Sequence, residues 1–179
     1  MSDFRFDLGH VTLDFLATLG GRPENRIERL AAPADLSRWI TEAGIAAAPP
    51  ASHELLDDAR ALREAIRRVL ASAREGSRPG ESDLTLVNEW ARSPVPAPQI
   101  GPDLALLSVG ADPVDGALAH VARESVEFVT STELARIRSC AGCTLLFIDR
   151  SRPGTRRWCS MERCGNRSKT ARYRQSRRT

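Results

Sequence analysis

Residues 140–167 read CAGCTLLFIDRSRPGTRRWCSMERCGNR and contain all four cysteines of the 179-residue chain. Four thiolates hold zinc tetrahedrally, and two cysteines separated by two residues on a tight turn can supply one edge of the tetrahedron. Cys140 and Cys143 have this spacing. Cys159 and Cys164 are separated by four residues, which suits one ligand at the end of a strand and the next in the first turn of a helix. The stretch therefore predicts one structural zinc ion bound by all four cysteines.

The residues between the two cysteine pairs predict the fold of this region. Residues 144–148 are a short apolar run, residues 151–154 form a turn, and residues 155–158 return toward the second pair. A knuckle, a hairpin and a ligand-bearing helix in that order predict a treble-clef-like module. Phe147 and Trp158 are its expected core. Since so small a core buries little surface, zinc must supply much of the folding free energy, on the order of 10 kcal/mol.

The compartment bears on how the cysteines are interpreted. The first ten residues carry acids and lack an apolar run behind a basic start, so we expect no secretory signal. No apolar stretch approaches the roughly 18 residues that a membrane helix needs. We therefore expect a cytoplasmic protein without a membrane partner. Spaced cysteines in a reducing compartment indicate metal ligands before disulfides, with a redox disulfide or an iron–sulfur site as the alternatives.

Charge is distributed unevenly along the chain. From Arg136 onward there are thirteen basic residues against two acids, whereas the preceding 135 residues hold thirteen arginines and twenty-one acids. The overall net charge of +3 thus conceals a net of −8 followed by a net of +11. We predict two domains, residues 1–130 and residues 131–179, with the boundary near Ser131 and Thr132.

The first domain is predicted to be mainly helical. Apolar residues recur at helical spacing over residues 11–19, 33–44, 54–74 and 113–130, and in a segment containing Leu84, Val87 and Trp90. Ser52 can cap the longest of these helices. Short strands are expected over residues 4–8, 26–30 and 104–109. The predicted fold class is α+β: a mainly helical domain with a few short strands, followed by the zinc module.

The residues after Cys164 are too basic to be held by packing alone. Arg167, Arg174 and Arg178 fall within roughly 40° of one another on a helical wheel, and no apolar stripe accompanies them. An anionic partner would remove the repulsion, and phosphates meet this need. We predict that DNA, or alternatively RNA, is contacted by Arg156, Arg157, Asn166, Arg167, Lys169, Arg172, Arg174, Arg177 and Arg178.

Two of these residues have a competing interpretation. A zinc tetrathiolate carries a net charge of −2, and Arg167 together with its neighbour Arg163 could simply offset that charge. Asn166 could cap the following helix in place of reaching a base edge. The segment beyond Tyr173 could also be a solvated tail that becomes ordered on binding.

Cys164-Gly165-Asn166-Arg167, with the upstream Cys-x2-Cys pair and the basic segment downstream, resembles the CGNR zinc-finger family. The string Gly9-His10-Val11-Thr12-Leu13-Asp14-Phe15 resembles the start of the ABATE domain, which precedes the finger in that family. The two resemblances span essentially the whole chain. They imply a bacterial stress-induced transcription regulator whose finger binds DNA through its basic residues.

The resemblance also suggests a ligand pocket in the first domain, with His10 and Asp14 as candidate residues and a small molecule as the ligand. One departure from the family pattern is visible nearby. The family continues to Asn-Thr after the Leu-Asp-Phe string, whereas this chain has Ala17-Thr18. Any role of that asparagine in a pocket or a helix contact is lost or moved here.

Catalytic patterns are not evident in the sequence. His10, His53 and His120 lie in separate segments without ligand spacing, and Asp57 and Asp58 point about 100° apart on a helix. We therefore expect a DNA-binding regulator and no enzyme. The alternatives are a zinc-stabilised protein-interaction or RNA-binding module, and a first domain with small-molecule binding or enzymatic activity. The oligomeric state stays open, and a palindromic operator would require a dimer.

Overall fold

The computed structural model describes residues 3–22, 25–167 and 169–170. It divides into two compact units: a cysteine unit, made of described residues within 1–29 and 132–179, and a helical unit, residues 30–131. This grouping differs in one respect from the predicted division into residues 1–130 and 131–179. The N-terminal residues group with the cysteine region, because their backbone and side chains bond to it as described below. The division of the sequence into those two domains stays a prediction.

The helical unit contains four helices and one hairpin in its described residues. The helices are α2 (Pro33–Glu42), α3 (His53–Glu75), α4 (Glu81–Arg92) and α5 (Pro113–Thr130), and the hairpin pairs β3 (Ala97–Ile100) with β4 (Leu106–Val109) in antiparallel register. Helices α3, α4 and α5 pack on one another in every pairing, and α2 contacts α3 and α5. The mainly helical character predicted for this part of the chain is confirmed.

Local signals in the sequence explain where these helices begin and end. The Ser52 hydroxyl oxygen accepts a 3.1 Å hydrogen bond from the backbone N–H of Leu55, which confirms the predicted cap of α3. Gly76 ends α3 in the left-handed conformation, at φ +66°. Asp112 caps α5 by accepting from the N–H of Val114 at 2.8 Å.

The core of the helical unit is made by the apolar faces of these helices. Leu62, Ile66 and Leu70 on α3 are fully buried, at the positions that the 3.6-residue period predicts. Trp39 of α2 and Phe128 of α5 are the largest buried side chains of the unit. Burial of each such side chain contributes roughly 1.5–3 kcal/mol.

The strand predicted over residues 104–109 is shorter than expected. Leu104 lies in the turn of the hairpin with φ +64°, and its N–H donates to the carbonyl of Gly101, so β4 begins only at Leu106. The hairpin exposes several large apolar side chains, among them Ile100, Leu104 and Leu106.

The cysteine unit is built from short elements. They are α1 (Val11–Leu16), the antiparallel strands β1 (Leu19–Arg22) and β2 (Asn25–Glu28), a 3₁₀ turn (Thr132–Arg136), the antiparallel strands β5 (Ile137–Ser139) and β6 (Leu146–Ile148), and a π-helical turn (Met161–Gly165). In the described part of the chain, no helix has the length and apolar character that crossing a bilayer requires.

Two predictions at the N-terminus are corrected. Residues 4–8 form no strand, because Arg5 is buried and Phe6 is exposed, so the alternating pattern does not produce two faces. The helix expected over residues 11–19 ends at Leu16, because both the N–H and the hydroxyl of Thr18 donate to the carbonyl of Phe15 and turn the chain. Leu19 then begins β1.

Candidate metal centre

The four cysteines come together at one point of the cysteine unit. Their sulfur atoms all lie within 4.8 Å of one another, with 3.6 Å between Cys143 and Cys159 and 3.8 Å between Cys159 and Cys164. A tetrahedron with zinc–sulfur bonds of about 2.3 Å has edges of about 3.8 Å. A disulfide would need about 2.05 Å. The donor set therefore fits one zinc ion, and the prediction of a zinc module is confirmed.

The first cysteine pair lies on a knuckle between β5 and β6. The N–H of Cys140 donates to the carbonyl of Leu145, and the N–H of Thr144 donates to the carbonyl of Cys140, both at 2.9 Å. The N–H of Gly142 points at the sulfur of Cys140, 3.4 Å away. A side chain at Gly142 would meet the Cβ of Cys164 at 3.1 Å, so the glycine lets the knuckle approach the fourth ligand.

The second cysteine pair is positioned by the π-helical turn. Ser160 begins this turn, and its hydroxyl oxygen accepts from the N–H of Arg163 at 3.4 Å. The N–H of Cys164 donates to the Ser160 carbonyl at 3.1 Å, which directs the last ligand toward the knuckle. A Cβ at Gly165 would meet the sulfur of Met161 at 2.6 Å, so the backbone turns closely there.

Asn166 does not N-cap the helix that follows; it ends the π-helical turn as its C-cap. Its backbone has helical angles, φ −65° and ψ −39°, and its N–H bonds to the carbonyl of Met161. The N-cap of the turn is Ser160, because an N-cap needs extended backbone angles and Ser160 has φ −149° and ψ 138°. The Asn166 side chain is exposed, so the predicted contact with nucleic acid stays a prediction.

The clustered sulfurs compete for protons when no cation is bound. A hydrogen bond from the thiol of Cys143, aided by Arg5, lowers the pKa of Cys159 to about 5. The pKa of Cys143 is raised, first by its hydrogen bond to Cys159 and then by burial. Burial raises the pKa of Cys164 to about 11. Four thiolates at this spacing need a divalent cation, and zinc when bound supplies that charge and holds the four chain segments together.

Arg5 is a neighbour of the metal centre that sequence reasoning missed. Its guanidinium is only 6 % exposed, and its Nη2 lies 3.6 Å from the sulfur of Cys159. Two further hydrogen bonds, of 2.7 and 2.9 Å, join it to the carboxylate of Asp7. Burial by itself would lower the pKa of Arg5, but the bonds to Asp7 and Cys159 outweigh it and raise that pKa. The only sequence signal was an arginine between Phe4 and Phe6.

The backbone of the N-terminal residues also bonds to the metal-binding hairpin. The N–H of Ile148 donates to the carbonyl of Leu8 at 2.9 Å, and the Arg150 side chain donates to the carbonyl of Gly9 at 3.0 Å. The hydroxyl of Thr144 donates to the carbonyl of Gly21, also at 3.0 Å. The N-terminal residues therefore form part of the same folded unit as the cysteines.

His10 and Asp14, the two residues predicted for a ligand pocket, both hold local backbone. His10 precedes α1, and its Nδ1 accepts from the N–H of Thr12 at 3.2 Å. Asp14 accepts from the N–H of Leu8 at 3.1 Å, and burial raises its pKa to about 6. These contacts give both residues a structural part, and the pocket predicted for them stays a prediction.

A buried aspartate shapes the loop between β6 and the second cysteine pair. Asp149 accepts from the N–H and hydroxyl of Ser151, at 2.9 and 2.6 Å, and from the N–H of Arg156 at 2.8 Å. The hydrogen bond from the Ser151 hydroxyl is the main cause of its lowered pKa. Sequence reasoning missed this residue, although an aspartate two positions before a serine at a turn is typical of such a loop.

Arg156 is held by the metal-binding loop. Its guanidinium donates to the carbonyl of Cys159 at 2.8 Å and lies 5.1 Å from the centre of the Phe147 ring. Although this side chain is partly exposed, it already fixes the position of a cysteine ligand. Its predicted role in nucleic-acid binding stays a prediction.

Other cations of the cysteine unit have no such partners. Among the described residues of the finger, 136–167 and 169–170, five basic side chains are exposed and make no ion pair or hydrogen bond; we call them the free cations, and they are Arg152, Arg157, Arg163, Arg167 and Lys169. Three of them belong to the predicted contact set, while Arg152 and Arg163 were not in it. The predicted contacts at Arg172, Arg174, Arg177 and Arg178 lie outside the described residues.

A shallow groove of about 360 Å³ lies beside the second cysteine pair. Its walls include Pro153, Arg157, Trp158 and Met161. The guanidinium of Arg157 lies 5.4 Å from the centre of the Trp158 ring, and Met161 is 49 % exposed. Apolar and aromatic surface here adjoins positive charge.

Comparison with protein families gives two matches that follow one another along the chain. The model of the ABATE family, described as "Putative stress-induced transcription regulator", matches residues 9–132. The model of the CGNR zinc finger matches residues 136–177 and so contains all four cysteines. The chain matches none of the curated proteins. The first match covers well over half of the chain, and its first residues lie in the cysteine unit.

Proposed function

This chain belongs to the ABATE family and carries a CGNR zinc finger, and from that premise we propose that it regulates transcription by binding DNA through the finger. The observation that carries the proposal is the set of free cations on the described part of the finger. Basic side chains that fold a protein are engaged with carboxylates or carbonyls. These five are instead available to an external anion.

Other arginines of the cysteine unit, unlike the free cations, are engaged in the fold. Arg136 donates to the carbonyl of Asp149 at 2.9 Å, and Arg150 pairs with Glu133 at 3.2 Å, so both serve the fold. Arg163 lies between the two cysteines of the second pair and Arg167 follows them, and neither has such an engagement. Neutralising the −2 charge of a zinc tetrathiolate would need two positive charges, and the finger carries five free cations. Most of the free cations are therefore surplus to the metal site.

The phosphate backbone is the partner that fits this surplus. Each arginine or lysine that contacts a phosphate releases condensed counterions, which favours binding and makes it steeply dependent on salt. The groove at Trp158 and Met161 adds apolar surface that a sugar or an exposed base could contact. The proposed binding is thus mainly to the backbone, with the groove as the place where sequence or strand preference would arise.

A titration across salt concentration tests the proposal. Zinc-loaded protein is added to a labelled 20-base-pair DNA duplex, and binding is measured by fluorescence anisotropy between about 50 and 300 mM KCl. If all five free cations contact phosphates, the logarithm of the association constant K should fall linearly with the logarithm of the salt concentration, with a slope of roughly −4 to −5. Absence of binding at the lowest salt concentration would reject DNA as the partner.

The same assay separates the alternatives. Single- and double-stranded RNA of matching sequence are titrated in parallel with the DNA. Tighter binding to either RNA form than to the DNA duplex would favour an RNA-binding module, and binding to no nucleic acid would favour an acidic protein partner. We expect no catalytic activity, and that expectation rests on the regulatory description of the family.

A second candidate function concerns the helical unit. A cavity of about 180 Å³ lies among α3, α4 and α5, with almost wholly apolar walls that include Ile66, Val87, Val126 and Val129. Asn88 provides a polar group at its edge. Since an apolar cavity of about 150 Å³ in another protein binds benzene, this volume suits a small apolar ligand of similar size. It is lined by neither His10 nor Asp14.

Methyl NMR with benzene as the probe tests this candidate. Saturable shifts confined to the methyl groups of Ile66, Val87 and Val129 are expected. Val126 is 37 % exposed, so Val126→Trp should fill the cavity from its open side and abolish the shifts. Shifts spread over the whole helical unit, or persisting in the Val126→Trp variant, would reject the cavity as a binding site.

A further inference from the structure

We propose that the zinc centre organises both ends of the chain, with Arg5 as a hydrogen-bonding partner of the thiolate of Cys159 and residues 3–22 folding together with the finger only when zinc is bound. The CGNR zinc-finger match covers residues 136–177 and does not include the start of the chain. The contacts of the cysteine unit instead join the start of the chain to the metal-binding hairpin. This inference does not depend on DNA binding.

The buried guanidinium of Arg5 needs more than one anionic partner. A guanidinium that is 6 % exposed has lost its hydration and needs anionic partners. Asp7 supplies one, but its side chain is half exposed and engages Nε and only one of the terminal nitrogens. The same Nη2 has a second proton, and the Cys159 sulfur lies 3.6 Å away. The geometry therefore directs the remaining hydrogen bond of Arg5 to a metal ligand.

The negative charge of the zinc centre also favours a hydrogen bond from Arg5. A zinc ion with four thiolates carries a net charge of −2, which attracts the guanidinium proton of Arg5 that is directed at one of the sulfurs, while Asp7 offsets the charge of the arginine itself. A hydrogen bond to a coordinated thiolate also lowers the energy of the sulfur lone pairs. Partners of this kind, which bond to a ligand and not to the metal, typically change metal affinity by 10- to 100-fold.

Backbone hydrogen bonds also join the N-terminal residues to the metal-binding hairpin. The carbonyls of Leu8 and Gly9 bond to Ile148 and Arg150, at the end of β6 and just beyond it. The carbonyl of Gly21 bonds to Thr144, on the knuckle itself. The N-terminal residues thus contact the hairpin at both the knuckle and the far end of β6. Because zinc supplies most of the stability of such a hairpin, these partners are in place only when the metal is bound.

Close packing supports the same conclusion. Gly9 has φ +100°, and a Cβ built on it would lie 3.2 Å from the Cβ of Ile148. Ile148 is 3 % exposed and Leu8 is 1 % exposed, so both side chains are removed from water. Loss of the hairpin would return Leu8 to solvent and leave its carbonyl without this donor.

Hydrogen exchange on the full-length protein tests the coupling. Amide protection is compared between the zinc-loaded protein and protein treated with EDTA and a thiol reductant. We expect residues 3–22 to lose protection together with residues 137–165 when zinc is removed, while α3 in the helical unit keeps its protection. Retained protection of residues 3–22 after zinc removal would overturn the proposal.

Substitution of Arg5 tests its role at the metal centre. In a chelator competition, Arg5→Met is expected to weaken zinc binding 10- to 100-fold. Arg26→Met is the matched control, because Arg26 is an exposed cation of the same unit and its loss changes net charge equally. With Co²⁺ in place of zinc, the sulfur-to-metal charge-transfer band should move to lower energy in Arg5→Met and stay in place in Arg26→Met.

Equal zinc affinity and equal band position in the two variants would overturn the role of Arg5. If Arg5→Met does not fold, Arg5→Lys provides the second measurement, since it keeps the charge but shortens the reach to sulfur. We then expect a zinc affinity below that of wild type. The Co²⁺ charge-transfer band should shift part of the way toward the energy of a thiolate without a hydrogen bond. Wild-type values in Arg5→Lys would show that the hydrogen bond to Cys159 contributes nothing.

Discussion

The carbonyl oxygen of Leu8 accepts a 2.9 Å hydrogen bond from the backbone N–H of Ile148, which ends the strand that follows the zinc knuckle. Both side chains are buried, so this bond lies in a dry environment where breaking it costs about 1–3 kcal/mol. The bond joins the residue just before the ABATE match to the CGNR finger within one folded unit. A substitution near Leu8 or near Ile148 should therefore destabilise both the N-terminal residues and the finger.

Gly9→Ala should destabilise the cysteine unit by about 2–3 kcal/mol. The substitution places a side chain at φ +100°, and its Cβ would lie 3.2 Å from the Cβ of Ile148, so strain and crowding add. Gly154→Ala is the control in the same unit, because it has φ +63° with open space around it and should cost only about 1 kcal/mol. Urea denaturation of zinc-loaded protein measures both, and equal costs would contradict the contact with Ile148.

Cys143→Ser should abolish zinc binding and the fold of the cysteine unit. Elemental analysis is expected to find one zinc per wild-type chain and almost none in the variant after dialysis against a weak chelator, because one of four thiolates is missing. The far-UV signal of the helical unit should persist. Thr155→Ser, at an exposed position of the same loop, serves as the control and should retain zinc. Full zinc content in Cys143→Ser would remove that cysteine from the ligand set.

Asp14→Asn should stabilise the protein at neutral pH. Burial raises the pKa of Asp14 from 3.8 to about 6, so the folded state binds its proton more tightly than the unfolded state does. The protonated carboxyl group contributes its full stabilisation below about pH 4. As pH rises through 6 and the buried group ionises, that stabilisation is lost, and the free energy of unfolding falls by about 3 kcal/mol in total. Asparagine keeps an oxygen for the N–H of Leu8 and carries no charge.

The pH dependence provides the measurement for Asp14. The difference in unfolding free energy between Asp14→Asn and wild type should be largest near pH 7.5 and should shrink as pH falls toward 5. Zinc release at low pH affects both proteins, so the difference between them isolates the carboxyl group. A difference that does not change with pH would mean that Asp14 titrates normally.

Arg167→Ala and Lys169→Ala should each weaken DNA binding and flatten its salt dependence. Each lost phosphate contact reduces the slope of log K against log salt by about 0.9. Arg92→Ala is the control, because Arg92 is an exposed cation at the end of α4 and its removal changes net charge by the same amount. If Arg92→Ala flattens the slope as much as Arg167→Ala does, the effect is one of net charge and not of contact at the finger.

Local patterns carried the predictions that the structure confirms. The spacing of Cys140 and Cys143 depends on a turn of four residues, and the cap at Ser52 depends on an N–H three residues away. The apolar period of α3 likewise needs only the geometry of a single helix. Each signal lies within one or two turns of chain, so each can be recognised without knowledge of the tertiary fold.

The strand predicted over residues 4–8 was wrong, and the buried position of Asp149 was not predicted. An alternating pattern suggested a strand over residues 4–8, but Arg5 is buried against Cys159 and Asp7, and Phe6 is exposed. Asp149 was overlooked because its structural role depends on three hydrogen-bond donors, which the folded loop brings to its carboxylate. His10 and Asp14 were assigned to a pocket on resemblance alone; the structure shows them bonding to Thr12 and Leu8, and the pocket stays a prediction.

The sequence by itself determined the four zinc ligands, the mainly helical character of the residues before them and the excess of positive charge after Arg136, since these follow from spacing, period and composition. Only the tertiary structure decided that the first residues of the chain fold with the finger, and which cations are engaged and which are free. The physical reason is that hydrogen bonds such as that between Leu8 and Ile148 join backbone groups, which every residue possesses, so no side-chain pattern announces them.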